Sequence, residues 1–98
     1  MKRLKMTKAQ ELKALTVIPG VGKSISNDLW EIGIRKVEDL AGKNPEALYN
    51  LSNKKAGCIQ DRCLLYTFRC AVYFAETPSG KLDSEKLKWW NWKDKHNK

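Results

Sequence analysis

Five adjacent residues carry the arrangement in this sequence with the plainest chemical use: Gly20, Val21, Gly22, Lys23 and Ser24, within VIPGVGKSIS (17–26). The chemistry is anion binding. The first amides of a helix have no partner inside it and carry the positive end of its dipole. A glycine just ahead of a helix keeps side chains out of the way and permits unusual backbone angles. A phosphate then reaches the amides of Val21, Gly22 and Lys23, with the Lys23 ammonium and the Ser24 hydroxyl beside it. Such a contact reads the phosphate backbone and not the bases. A tight turn between two helices calls for the same residues without any ligand, and the glycines alone favour that plainer reading. GVGKS lacks the four residues that a Walker loop places between its first glycine and its GK pair. A dinucleotide fingerprint needs a preceding strand and a third glycine, and both are missing.

Other reactive residue types are less organised. Cys58, Cys63 and Cys70 are odd in number and include no CxxC, and the one histidine, His96, lies in the C-terminal tail. Neither a zinc site nor any other metal site is expected, and the thiols read as reduced, buried, small apolar side chains. Asp61, Arg62 and Cys63 would line at most a small side pocket. Arg62 and Arg69 share a helix face and suit ion pairs with Asp61, Glu76 or acids of another helix. Trp89, Trp90 and Trp92 lie among Lys86, Lys88 and Lys93, a pattern that fits stacking on single-stranded bases. Their apolar area favours the simpler use, docking the C-terminal segment onto the core with one ring exposed. No set of residues has the spacing of a hydrolytic triad or a carboxylate pair. The expectation is a protein that is not an enzyme, with no cofactor and no small-molecule substrate.

The elements that must position these residues read as helices throughout. No alternating run is long enough for a sheet. Thr7 with Gln10 resembles a capping box that opens a first helix, buried through Leu12, Leu15 and Ala9 and closed near Thr16. A second helix runs from Gly22 or Lys23 to Ile32, with Ile25, Leu29 and Ile32 on one face. Gly33 supplies a left-handed cap onto which Ile34 folds back. Val37 and Leu40 mark a short helical turn. Asn44 caps a third helix with Pro45 at its first position, ended by Gly57. A long central helix is expected over 59–75, apolar nearly all round except for Arg62, Arg69 and Glu76. A Trp-rich segment, 81–93, opens with a short helix capped by Asp83 or Ser84, and 94–98 reads as a frayed tail.

The chain of 98 residues is long enough for one core. The fold expected is all-α, a compact single domain of about five helices. The formal charge of +8 favours an anionic partner. It gathers at the ends: residues 1–15 carry a net +4 and residues 81–98 a net +3, against +1 between them. Frayed ends would use that charge for solubility instead. CLLYTFRCAVYFA (63–75) is too short and too interrupted to span a membrane, and MKRLKMTKAQ contains no signal-like apolar run. No membrane partner and a cytoplasmic location are expected.

The wider pattern Ile18-Pro19-Gly20-Val21-Gly22-Lys23, with Ser26 at a small position three residues on, resembles the helix-hairpin-helix motif. LWEIGIRKVEDLAGKNPEALY (29–49) resembles the segment that follows the hairpin in many such domains. DRCLLYTFRCAVYFAE (61–76) and KLKWWNWKD (86–94) look like the small bacterial pathogenicity-locus helix-hairpin-helix proteins. The likeness covers about residues 12–93. The C-terminal domain of the competence regulator TfoX has a similar, more distant layout. The resemblance implies a SAM-like or tandem-hairpin fold and binding of duplex DNA without sequence preference. By position, the contacts would be the amides of Gly20, Val21 and Gly22 and the side chain of Lys23. Ser26 would let the helices approach, and Ile18 and Val21 would anchor the loop. A second hairpin would turn at LSNKKAGCI (51–59), which has one glycine and no GxG. There Lys54 and Lys55, with Lys88 and Lys93 elsewhere, would add only side-chain contacts. The alternative reading is a protein-interaction module, homodimeric through helix 59–75 and the tryptophans.

Overall fold

The computed structural model describes residues 7–93. The expected frayed tail, 94–98, and the basic residues ahead of Thr7 lie outside the described residues. Those described form four α-helices and no strand: α1 (Lys8–Leu15), α2 (Lys23–Glu31), α3 (Pro45–Ala56) and α4 (Arg62–Glu76). Single 3-10 turns lie at Val37–Leu40, Ser79–Lys81, Ser84–Leu87 and Trp89–Trp92. The short C-terminal helix expected after Asp83 is therefore a pair of 3-10 turns. Asp83 does cap the first of them, accepting from the Glu85 amide. The backbone then extends at Lys88, with φ −94° and ψ 113°, and no helix propagates.

Helix ends follow local chemistry. Thr7 and Gln10 form the reciprocal capping box: the Gln10 amide donates to Thr7 Oγ1 at 3.1 Å and the Thr7 amide to Gln10 Oε1 at 2.8 Å. Gly33, at φ +98°, closes α2. The Ile34 amide reaches back to the Leu29 carbonyl at 3.0 Å, and Ile34 is buried, the wrapped C-terminus that a left-handed glycine permits. Asn44 Oδ1 accepts from the Glu46 and Ala47 amides, and Pro45 holds the first position of α3.

Helix α4 is the central element, packed by α3, by Val37–Leu40 and by both C-terminal 3-10 turns. It buries Leu64, Leu65, Thr67, Phe68, Cys70, Ala71 and Val72. Around Leu65 and Phe68 gather Leu15, Ile18, Val21, Leu29, Ile34, Leu40 and Leu48. A helix apolar on most of its circumference is thus covered by its own chain. It starts three residues later than 59, because Asp61 caps it through the Cys63 amide at 2.9 Å. Its polar stripe is spent internally. Arg69 donates to Glu46 at 2.7 Å and to the Trp92 carbonyl at 2.7 Å, and Glu76 accepts from the Gly42 amide at 2.7 Å. No helix of the described residues is long and apolar enough to cross a membrane.

The cysteine expectation needs correction. Only Cys70 is buried, whereas Cys58 and Cys63 are exposed. Seven-residue spacing aligns Cys63 with Cys70 on α4, but Cys63 sits in the first turn, where the helix emerges from the core. Cys58 follows the cap at Gly57 and belongs to no helix.

Candidate functional site

The α1–α2 connection is a tight turn pinned at both ends by apolar side chains. The Ile18 amide donates to the Leu15 carbonyl at 3.2 Å and the Val21 amide to the Ile18 carbonyl at 3.0 Å. Ile18 and Val21 are buried. Gly20 has φ +83°, a left-handed conformation that side chains resist. Gly22 is different: as N-cap of α2 it has φ −97° and ψ −162°, extended backbone open to any residue. A Cβ there would meet nothing within 4 Å. Its smallness therefore clears space in front of the helix without serving the backbone.

This geometry divides the expected amide donors. Val21, counted among them from the sequence, has its N–H committed to Ile18 and cannot offer it to a ligand. Among the described residues, the amides of Gly20, Gly22, Lys23 and Ser24 have no internal acceptor. The last three open α2 in succession, where the dipole favours an anion. Lys23 and Ser24 are exposed. Ser26 is fully buried, and its hydroxyl donates to the Lys23 carbonyl at 2.8 Å.

Two recesses flank the turn. One is a groove of about 290 Å³ between α1 and α2, lined by Ala9, Leu12, Lys13, Thr16, Lys23 and Ser26. The other is a cleft of about 360 Å³ that brings together Gly20, Asp28, Gln60, Asp61, Cys63 and Trp89. A Cβ on Gly20 would come within 3.2 Å of Trp89 Cδ1, so this indole backs the turn. Partial burial raises the Asp28 carboxyl above its ordinary value. The Cys63 amide, hydrogen-bonded to Asp61, holds that carboxyl below its own. The same carboxylate pushes the Cys63 thiol up.

The α3–α4 connection is built otherwise. Gly57, at φ +77°, caps α3. Gln60 is clasped: its amide donates to Asn53 Oδ1 at 2.9 Å, its side chain donates to Ser52 Oγ at 3.0 Å, and its carbonyl accepts from the Tyr49 hydroxyl. The start of α4 is occupied by the Asp61 carboxylate. A phosphate meets a negative charge there instead of open amides. Lys54 and Lys55 are exposed in the last turn of α3. Lys88 is half-buried and paired with Glu85 at 3.0 Å. Lys93 is exposed and acts electrostatically on Cys63, close to the cleft.

The tryptophans divide as well. Trp92 packs on Tyr73 with centroids 5.6 Å apart, and its indole donates to the Lys86 carbonyl at 2.7 Å. Trp90 meets Trp89 edge-on and is 50% exposed. Sequence reasoning passed over Trp30, which lies between Lys8 (4.3 Å) and Arg35 (3.7 Å) and donates to Glu11 at 3.0 Å. It also passed over Lys13, which lines the groove together with Lys23.

No curated protein and no solved structure matches this chain. The family model Cdd1, described as pathogenicity locus, matches residues 8–98. With nearly its whole length matched, the chain belongs to the pathogenicity-locus family.

Proposed function

We propose that α1, the turn at residues 16–22 and α2 form a helix-hairpin-helix unit that binds duplex DNA by its phosphates, without reading sequence. The observation that carries this reading is the run of open amides at Gly22, Lys23 and Ser24, fronted by a glycine whose backbone angles do not require glycine. A glycine at this N-cap leaves the space before the helix clear for a ligand to approach. The net charge of +8 supplies long-range attraction. The α3–α4 pair completes a tandem-hairpin, SAM-like arrangement in which one loop is open and the other is closed by Asp61. Lys54, Lys55 and Lys93 are side-chain contacts to the same polyanion, and Lys88 contributes less because Glu85 neutralises it.

The test is binding to unrelated duplexes across a salt series. Affinity falls steeply as salt rises, because each phosphate that meets a cation releases counterions. Lys23→Glu and Gly22→Val both weaken it. Absence of binding by the wild type at low salt, or unchanged binding by both variants, overturns the reading.

The alternative, a homodimeric interaction module built on helix 59–75 and the tryptophans, draws less support. The apolar residues of α4 face their own chain, and Trp89 and Trp92 dock onto it. A monomer–dimer measurement by light scattering separates the two.

A further inference from the structure

The recesses on either side of the α1–α2 turn differ in charge, and the difference gives an approaching strand a direction. On the cleft side stand the carboxylates of Asp28 and Asp61. Asp61 is held ionised by the Cys63 amide, and Asp28 has no ion-pair partner among the described residues. A phosphate arriving from that side meets two carboxylates, offset in part by Lys93 near Cys63. On the groove side stand Lys13, in the last turn of α1, and Lys23, at the first position of α2. Neither is paired among the described residues, and no carboxylate lines the groove.

Beside the two lysines the groove offers hydrocarbon. Ala9 and Leu12 form part of its lining. Its two hydroxyls have their protons committed inside their own helices: Thr16 Oγ1 donates to the Lys13 carbonyl at 2.6 Å and Ser26 Oγ to the Lys23 carbonyl at 2.8 Å. Two cations lining one small apolar hollow suit two anions that flank a small, largely apolar ring. A nucleic-acid strand repeats that pattern as phosphate, sugar, phosphate.

Resting on the phosphate reading of the turn, we propose that the α1–α2 groove seats one deoxyribose of a DNA strand. The phosphate on one side of that sugar lies on the amides of Gly22–Ser24 with Lys23, and the neighbouring phosphate is held by Lys13. Lys13 is then a second phosphate contact, and the groove fixes the path of the strand along α1, away from Asp28 and Asp61.

The experiment uses the full chain and a labelled 20-base-pair duplex, titrated at several salt concentrations, with each variant's helicity and melting checked. Lys13→Gln weakens binding several-fold and lowers the log–log salt slope by about 0.9, the value for one phosphate contact. Ala9→Leu adds hydrocarbon at an exposed α1 position that lines the groove, with no change of charge. It weakens binding by about tenfold and leaves the slope unaltered, since ion release is unaffected. Lys81→Gln, which lines neither recess, leaves the slope at its wild-type value. If Lys13→Gln behaves like Lys81→Gln and Ala9→Leu binds normally, while Gly22→Val and Lys23→Glu fail, the groove proposal is overturned and the turn still binds phosphate. If the wild type does not bind, the parent reading falls first.

Discussion

Gly20 and Trp89 are in direct apposition: the place where a Cβ would stand on Gly20 is 3.2 Å from Trp89 Cδ1. The indole is the floor of the turn, and the glycine is what lets the turn rest on it. Gly20→Ala carries two costs, a left-handed φ of +83° and a displaced tryptophan. It lowers unfolding free energy by about 1–2 kcal/mol, read as a reduced urea midpoint at unchanged m-value. An unchanged midpoint would mean that the turn rearranges freely.

Gly22 gives the opposite result. Its angles suit any residue and no atom crowds it. Gly22→Val stays within about 1 kcal/mol of wild-type stability, the range for a changed N-cap, and under the proposed phosphate contact it loses DNA affinity. A variant that unfolds would assign Gly22 a structural duty.

Arg69 links three elements, reaching Glu46 on α3 and the Trp92 carbonyl of the C-terminal turn from α4. Arg69→Met removes charge-assisted bonds from a half-buried site and costs about 2–3 kcal/mol. Limited proteolysis then cuts within 82–93 before the helices. Glu46→Gln costs less than about 1 kcal/mol, because Glu46 is 56% exposed and solvent screens the pair.

Thiol labelling at pH 8 separates the cysteines. Cys70 is buried, with its pKa pushed up to about 11 by desolvation, and stays unlabelled until the chain unfolds. Cys58 and Cys63 are both accessible. Cys63 reacts more slowly, because Asp61 raises its pKa and lowers its thiolate fraction. Replacing Asp61 with Asn speeds Cys63 alone.

Asp28 and Asp61 respond to acid in opposite senses. The carboxyl of Asp61 is lowered in the fold, so its stabilising contribution is present above the unfolded value near 3.8 and is lost as pH falls through the folded value. That of Asp28 is raised by desolvation, so its ionisation opposes folding at neutral pH. Asp28→Asn is therefore more stable than wild type at pH 7, and the gain disappears below the unfolded value. Chemical denaturation of the variant at pH 7 and pH 3 checks the sign.

Much of the fold was legible because its signals are local. Thr7 with Gln10, Gly33 with Ile34, and Asn44 with Pro45 each specify a helix end within four residues, and each forms as read. The start of α4 was misplaced because Ile59 continues an apolar pattern that Asp61 interrupts by capping. The exposure of Cys58 and Cys63 depends on where that helix leaves the core, which spacing does not encode. Within the candidate site, the residue types of the turn were legible, but the commitment of the Val21 amide was not. A hydrogen bond back to Ile18 depends on the particular turn adopted. Lys13 carried no signal of its own in the sequence, because its place in one groove with Lys23 depends on how α1 and α2 pack.

The support of the turn by Trp89 also has a history within each molecule. During synthesis α1 and α2 leave the ribosome early, while the indole beneath their turn arrives only after α3 and α4 have been made. A nascent chain stalled before residue 89 holds both helices and every amide of the turn, but not its floor. The segment carrying Trp89 is thus what completes a turn whose helices were made before it.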